Sequence, residues 1–108
     1  MNSQLDYYTA TIANGETTSG AIAINGARVE AVHLSAAFTG TKIHFLTSHD
    51  GVTYQQVYTS AGALLEYTIA AGKTSIVSTA EIRANYIKIG SSGTEGAART
   101  LGVTTWRG

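Results

Sequence analysis

Between Lys42 and Ser48 the chain alternates, with Ile43, Phe45 and Thr47 set against Lys42, His44, Leu46 and Ser48. That period of two is the mark of a half-buried strand. Ser48-His49-Asp50-Gly51 interrupts it, and Val52-Thr53-Tyr54 resumes branched and aromatic residues. The pattern predicts a hairpin over 42–58, closed by a glycine in the left-handed region and lying at the centre of a β-sandwich. Upstream, residues 1–6 read as a polar arm. Tyr8, Ala10 and Ile12 then alternate with Tyr7, Thr9 and Thr11 in a first strand ending at Asn14-Gly15. A strand over 17–24 leads to a second turn, Asn25-Gly26. A third strand over 28–36 turns Val32 and Leu34 one way and Ala31, His33 and Ser35 the other.

Downstream, residues 63–70 place Leu65, Tyr67 and Ile69 on one face. Ala71-Gly72 stops this octet short of three helical turns, so it reads as a strand. Residues 73–77 form a short strand, 78–84 a single helical turn, and 85–89 a strand with Ile87 and Ile89 inward. A polar, glycine-rich loop over 91–98 precedes a last strand over 99–106. Short strands at regular intervals, with turn signals between them and no helix long enough for a crossover, predict an all-β sandwich or barrel. The chain reads as one domain over 1–108, beginning at Met1 and ending just past its last strand like a whole small gene product.

Composition sharpens this picture. Sixteen Thr and nine Ser favour strands and hydroxyl-rich surfaces, and twelve Gly with no Pro supply the turns. Seven basic and seven acidic side chains cancel, and no basic run exists to track phosphates, so nucleic acid is not the expected partner. No apolar run is long enough to span a bilayer as a helix, and the N-terminus lacks a secretory signal pattern. The absence of Cys excludes disulfides and thiolate metal sites, and fits folding in a reducing cytoplasm.

The chemistry-bearing residues form no recognisable catalytic pattern. Ser48-His49-Asp50 names a hydrolase triad, but three successive residues cannot place base, nucleophile and orienting group correctly; Asp50 is expected to bind local backbone instead. His33 and His44 both point outward by phase and would be neighbours on paired strands. With His49 they lack the spacing of a metal site, so no metal or cofactor is expected. Gly90-Ser91-Ser92-Gly93-Thr94-Glu95-Gly96 lacks both the order and the following helix of a phosphate loop. The acidic residues stand singly, and no catalytic residue is assigned. Six Tyr and Trp106 offer a sugar-stacking platform, or are simply half-buried strand aromatics.

Ile12–Gly20, Ala37–Tyr54 with its Ser-x-Asp-Gly turn, Ile69–Gly72 and Tyr86–Gly93 together resemble a family of small tailed-bacteriophage virion proteins. The resemblance implies a jelly-roll-like β-sandwich, which suits the eight to nine short strands read along the chain. It further implies a non-enzymatic structural protein on the virion: a capsid cement or decoration protein bridging subunits of the major capsid protein, made in the host cytoplasm. The alternative is a fibre-associated carbohydrate-binding module for host recognition. A homo-oligomer, trimer or dimer, suits the symmetry positions of a capsid. Contacts are expected from the chain ends, through Leu5, Tyr7, Tyr8, Trp106 and Arg107, because ordered arms and exposed Trp and Arg are common interface anchors.

Overall fold

The side chains that the alternation turns inward meet in a single core. In the computed structural model, which describes residues 4–77 and 82–107, Ile12, Ile24, Val29, Val32, Ile43, Phe45, Ile87, Ile89, Leu101 and Val103 are fully enclosed. They come from two antiparallel sheets packed face to face. The strands are β1 (Gln4–Ile12), β2 (Ile22–Ala23), β3 (Arg28–His33), β4 (Lys42–Ser48), β5 (Gln55–Gln56), β6 (Glu66–Thr68), β7 (Thr74–Ile76), β8 (Tyr86–Ser91) and β9 (Arg99–Arg107). One sheet has the order β1-β9-β3-β7. The other runs β2-β8-β4-β5, with β6 also paired to β4. The molecule is thus the expected all-β, jelly-roll-like sandwich, with nine strands and no helix among the described residues.

Register explains the core. Phe45 faces Ile89 across β4 and β8, while Val103 lies between Tyr8 of β1 and Val32 of β3. Phe45 also meets the edge of Tyr67, with ring centroids 6.1 Å apart and planes at 78°. Each enclosed Val, Ile or Phe side chain contributes about 1.5–3 kcal/mol relative to exposure, so the shared cluster that both sheets bury is what holds the two layers together.

Several boundaries depart from the sequence reading. Gln4, Leu5 and Asp6 were expected in an arm but pair with Arg107, Trp106 and Thr105, extending β1 by three residues. The strand expected over 28–36 closes at His33, and that over 63–70 contracts to Glu66–Thr68. Asn25 and Gly26 do take positive φ, 52° and 84°. Their turn, closed by the Ala27 N–H on the Ile24 carbonyl at 3.0 Å, carries the chain from one sheet to the other. Of the expected helical turn, residues 78–81 lie outside the described residues, whereas Arg83 makes an antiparallel bridge to Arg28. His33 and His44 are not neighbours, since β3 and β4 belong to different sheets.

Candidate functional site

The Ser48–Thr53 turn is built around Asp50. One carboxylate oxygen, Oδ1, accepts the N–H groups of Val52 at 2.9 Å and Thr53 at 3.0 Å, and the Ser48 hydroxyl at 3.0 Å. Ser48 Oγ in turn accepts the Gly51 N–H at 2.9 Å, and Gly51 sits at φ 77° against the Tyr86 ring. The N–H groups of Val52 and Thr53 donate to the carboxylate, so ladder pairing resumes only at Gln55; this is why β5 starts later than the pattern suggests. The backbone donors of Val52 and Thr53, then Ser48, hold the Asp50 carboxyl down at about 2. The triad-like run therefore makes a rigid turn: Asp50 binds Ser48 and the backbone, and no bond links it to the His49 ring.

Beside this turn opens a cleft of ≈ 200 Å³, lined by Thr47, Ser48, His49, Asp50, Thr53, Gln55, Arg83 and Ala84. It lies at the Ser48 end of β4. The His49 carbonyl accepts the Asn85 side-chain amide at 3.2 Å, tying the turn to the segment that leads into β8. Arg83 reaches across from that segment, and among the described residues its side chain makes only a long 3.4 Å bond to the Gly26 carbonyl. Its guanidinium and the His49 imidazole supply donors; Gln55 supplies a donor and an acceptor; and Asp50 Oδ2 remains without a protein partner among the described residues. No group of three or more His, Asp or Glu converges to hold a metal ion among those residues.

The side chains expected to make contacts fall into two sets. Leu5, Tyr7 and Trp106 share the outer face of the β1-β9-β3-β7 sheet, where Leu5 and Tyr7 are 62% and 63% exposed. The Tyr7 ring lies across Gly102, where a Cβ would overlap its hydroxyl. Its centroid is 5.7 Å from that of His33. His33 is held between the hydroxyls of Thr74 at 2.9 Å and Thr104 at 2.7 Å. Tyr8 and Arg107 belong to the other set. Tyr8 takes the opposite phase and packs against the core. Arg107 donates to the Ile24 and Asn25 carbonyls at 2.9 and 2.8 Å, so its guanidinium fastens the sheet-crossing turn instead of facing outward.

His44 covers Gly90 on the outer face of the second sheet, as Tyr7 covers Gly102 on the first. Burial lowers the His44 pKa, and the nearby Glu66 carboxylate opposes that effect.

Two features escaped the sequence reading. Arg83 and Gln55 reach the cleft from separate segments, and only the fold brings them together. Glu95, inside the polar loop, is fully buried. It accepts the N–H groups of Thr39 and Gly40 at 3.0 and 3.1 Å and pairs with Arg99 Nε at 3.1 Å.

No family model matches the chain, and no curated protein matches it. Among solved structures it is similar to a carbohydrate-binding module, CBM32-1, from a family 31 glycoside hydrolase of Clostridium perfringens. The TM-score is 0.56 at 15% identity, over 94% of this chain and 76% of that one. A second match, to the glycoside hydrolase CpGH89 of the same organism in complex with its substrate, has a TM-score of 0.44 at 13% identity. It covers 90% of this chain and 11% of the enzyme. The first likeness establishes the sandwich fold.

Proposed function

We propose that this domain is a non-catalytic carbohydrate-binding module and that the cleft beside the Asp50 turn takes a sugar. The observation that carries the reading is the cleft itself, a concave site whose walls present donors and acceptors from Arg83, His49, Gln55 and Asp50 on a turn already fixed by its own hydrogen bonds. Sugar hydroxyls each donate one hydrogen bond and accept others, so a mixed, preorganised set of this kind suits them. The shared fold with a carbohydrate-binding module supports the same reading. The resemblance to phage virion proteins supports a fibre-associated setting, in which the module recognises host surface glycans. A glycan array, followed by amide shift mapping of any hit, tests it. The expected result is binding with shifts confined to residues 47–55 and 83–85; a protein that binds no glycan refutes it.

A second reading is favoured by the outer sheet face, where Leu5, Tyr7 and Ile76 are exposed. A capsid cement protein would use such a face to bridge major capsid subunits, gaining strength from several contacts at once. Saturable binding to purified heads, lost in a Tyr7→Asp/Ile76→Asp double variant, would support it over the sugar reading.

A further inference from the structure

We propose that two copies of this chain join edge to edge through β1, with Tyr7 of one copy facing Tyr7 of the other on a two-fold axis. Every residue of β1 pairs with β9 along one side, from Gln4↔Arg107 to Ile12↔Arg99, without a register shift. Along its other side the contacts are confined to the end of the strand, where Ile12 bridges Ser19 and the Gly20 N–H donates to the Thr11 carbonyl at 3.2 Å. From Gln4 to Ala10 that edge has no main-chain partner among the described residues. The strands β2, β5, β6 and β7 at or near the other sheet edges are only two or three residues long. Short edges are a common protection against pairing with other chains, as are Lys, Pro and bulges. β1 is long and has no Lys, Pro or bulge; its single charged side chain is Asp6, which takes the core-facing phase opposite Thr105.

The Thr11 contact also fixes which groups face outward. In a strand, the N–H and C=O of one residue leave on the same side, and the side alternates along the chain. Because the Thr11 carbonyl points to the free edge, so do the main-chain groups of Thr9, Tyr7 and Leu5. An antiparallel copy must therefore pair odd residues with odd residues. An axis at Asp6 would set the two carboxylates directly opposite each other, which is unfavourable. An axis at Tyr8 would bring Thr11 into the ladder, although its carbonyl is already taken by Gly20. The axis at Tyr7 avoids both. It pairs Leu5 with Thr9, Tyr7 with Tyr7 and Thr9 with Leu5, giving about six main-chain hydrogen bonds, two for each pair. Asp6 then lies opposite Tyr8. The exposed Leu5 and Tyr7 side chains become cross-strand neighbours on a sheet of eight strands, and the same patch serves both copies, as a closed two-fold requires.

The pairing stands apart from sugar binding, and its test does not involve a ligand. The chain has no Cys, so Tyr7→Cys and Leu5→Cys each introduce one thiol. In the proposed register the two Cα atoms at position 7 lie about 5.5 Å apart, within the disulfide range of about 4.4–6.8 Å. Those at position 5 lie roughly 14 Å apart, four residues along the strands. The wild-type chain is expected to sediment as a dimer, Y7C to cross-link under mild oxidation and L5C to stay uncross-linked. Thr9→Pro removes only an outward N–H and should give a folded monomer. A wild-type monomer at all concentrations overturns the proposal. So does a dimer that cross-links at position 5, or that fails to cross-link at position 7.

Discussion

Glu95 Oε1 lies 3.1 Å from Arg99 Nε, and the Glu95 side chain is fully enclosed. Its main chain is engaged as well, with Glu95 N–H donating to the Glu16 carbonyl and Glu95 C=O accepting from Gly15. One residue thus clamps the 13–16 turn, the Thr39-Gly40 approach to β4 and the 91–98 loop. This clamp sits at the opposite end of β4 from the cleft, and it anchors the strand whose far end carries the Asp50 turn.

Replacing Glu95 by Ala leaves the Thr39 and Gly40 N–H groups and Arg99 without their acceptor. It should cost about 2–4 kcal/mol, read as a lowered midpoint in denaturant at unchanged slope. Arg99→Ala should cost less, about 1–2 kcal/mol, because Thr39 and Gly40 still serve the carboxylate.

The same clamp predicts an acid-labile fold. Burial raises the Glu95 pKa, but the hydrogen bonds from Thr39, Arg99 and Gly40 outweigh it and hold the carboxyl below its ordinary value of 4.5. A carboxyl lowered in the folded state contributes stability that is fully present above its unfolded value and lost as pH falls through the folded value. Thermal midpoints measured from pH 6 down to about 2 should therefore fall, and the Glu95→Ala variant should show a shallower fall.

The Asp50 turn should respond to the loss of one acceptor. Asp50→Ala removes the partner of the Val52 and Thr53 N–H groups, and hydrogen exchange at those two amides should speed up while the core strands keep their protection. Asp50→Asn retains an Oδ1 acceptor and should restore most of the slow exchange.

Two glycines should differ despite equally close neighbours. A Cβ at Gly40 would meet buried Ser91 and Phe38, whereas one at Gly102 would meet the exposed Tyr7 ring. Gly40→Ala should cost about 1–3 kcal/mol, because packed atoms must shift. Gly102→Ala should cost under about 1 kcal/mol, with Tyr7 swinging away from the sheet; calorimetry and Tyr7 ring resonances distinguish the two outcomes.

Much of the sandwich was legible in the sequence because burial follows a period of two. Ile43 and Phe45, Ile87 and Ile89, and Leu101 and Val103 all point inward as their alternation requires. The turn glycines were readable for the same local reason. What stayed hidden depends on contacts distant in sequence. β1 begins at Gln4 because β9 offers nine partners in register, which no pattern in residues 4–6 reveals. The outward phase of His33 and His44 was correct, but their assignment to different sheets is a matter of topology. Glu95 reads only as part of a polar loop, since the N–H donors at 39 and 40 that its carboxylate accepts lie over fifty residues away. The cleft was legible only in part: its turn was identified, with Asp50 bound to local backbone as expected, but Arg83 and Gln55 were not.

The central claim is that the cleft holds a sugar, and isothermal titration of the best array glycan into three chains tests it most directly. Wild type and Tyr7→Ala should bind alike, and Arg83→Ala should weaken binding at least about tenfold, the loss of a charge-assisted hydrogen bond of roughly 1.5–3 kcal/mol. Unchanged affinity in Arg83→Ala, or a loss of binding only in Tyr7→Ala, would contradict it.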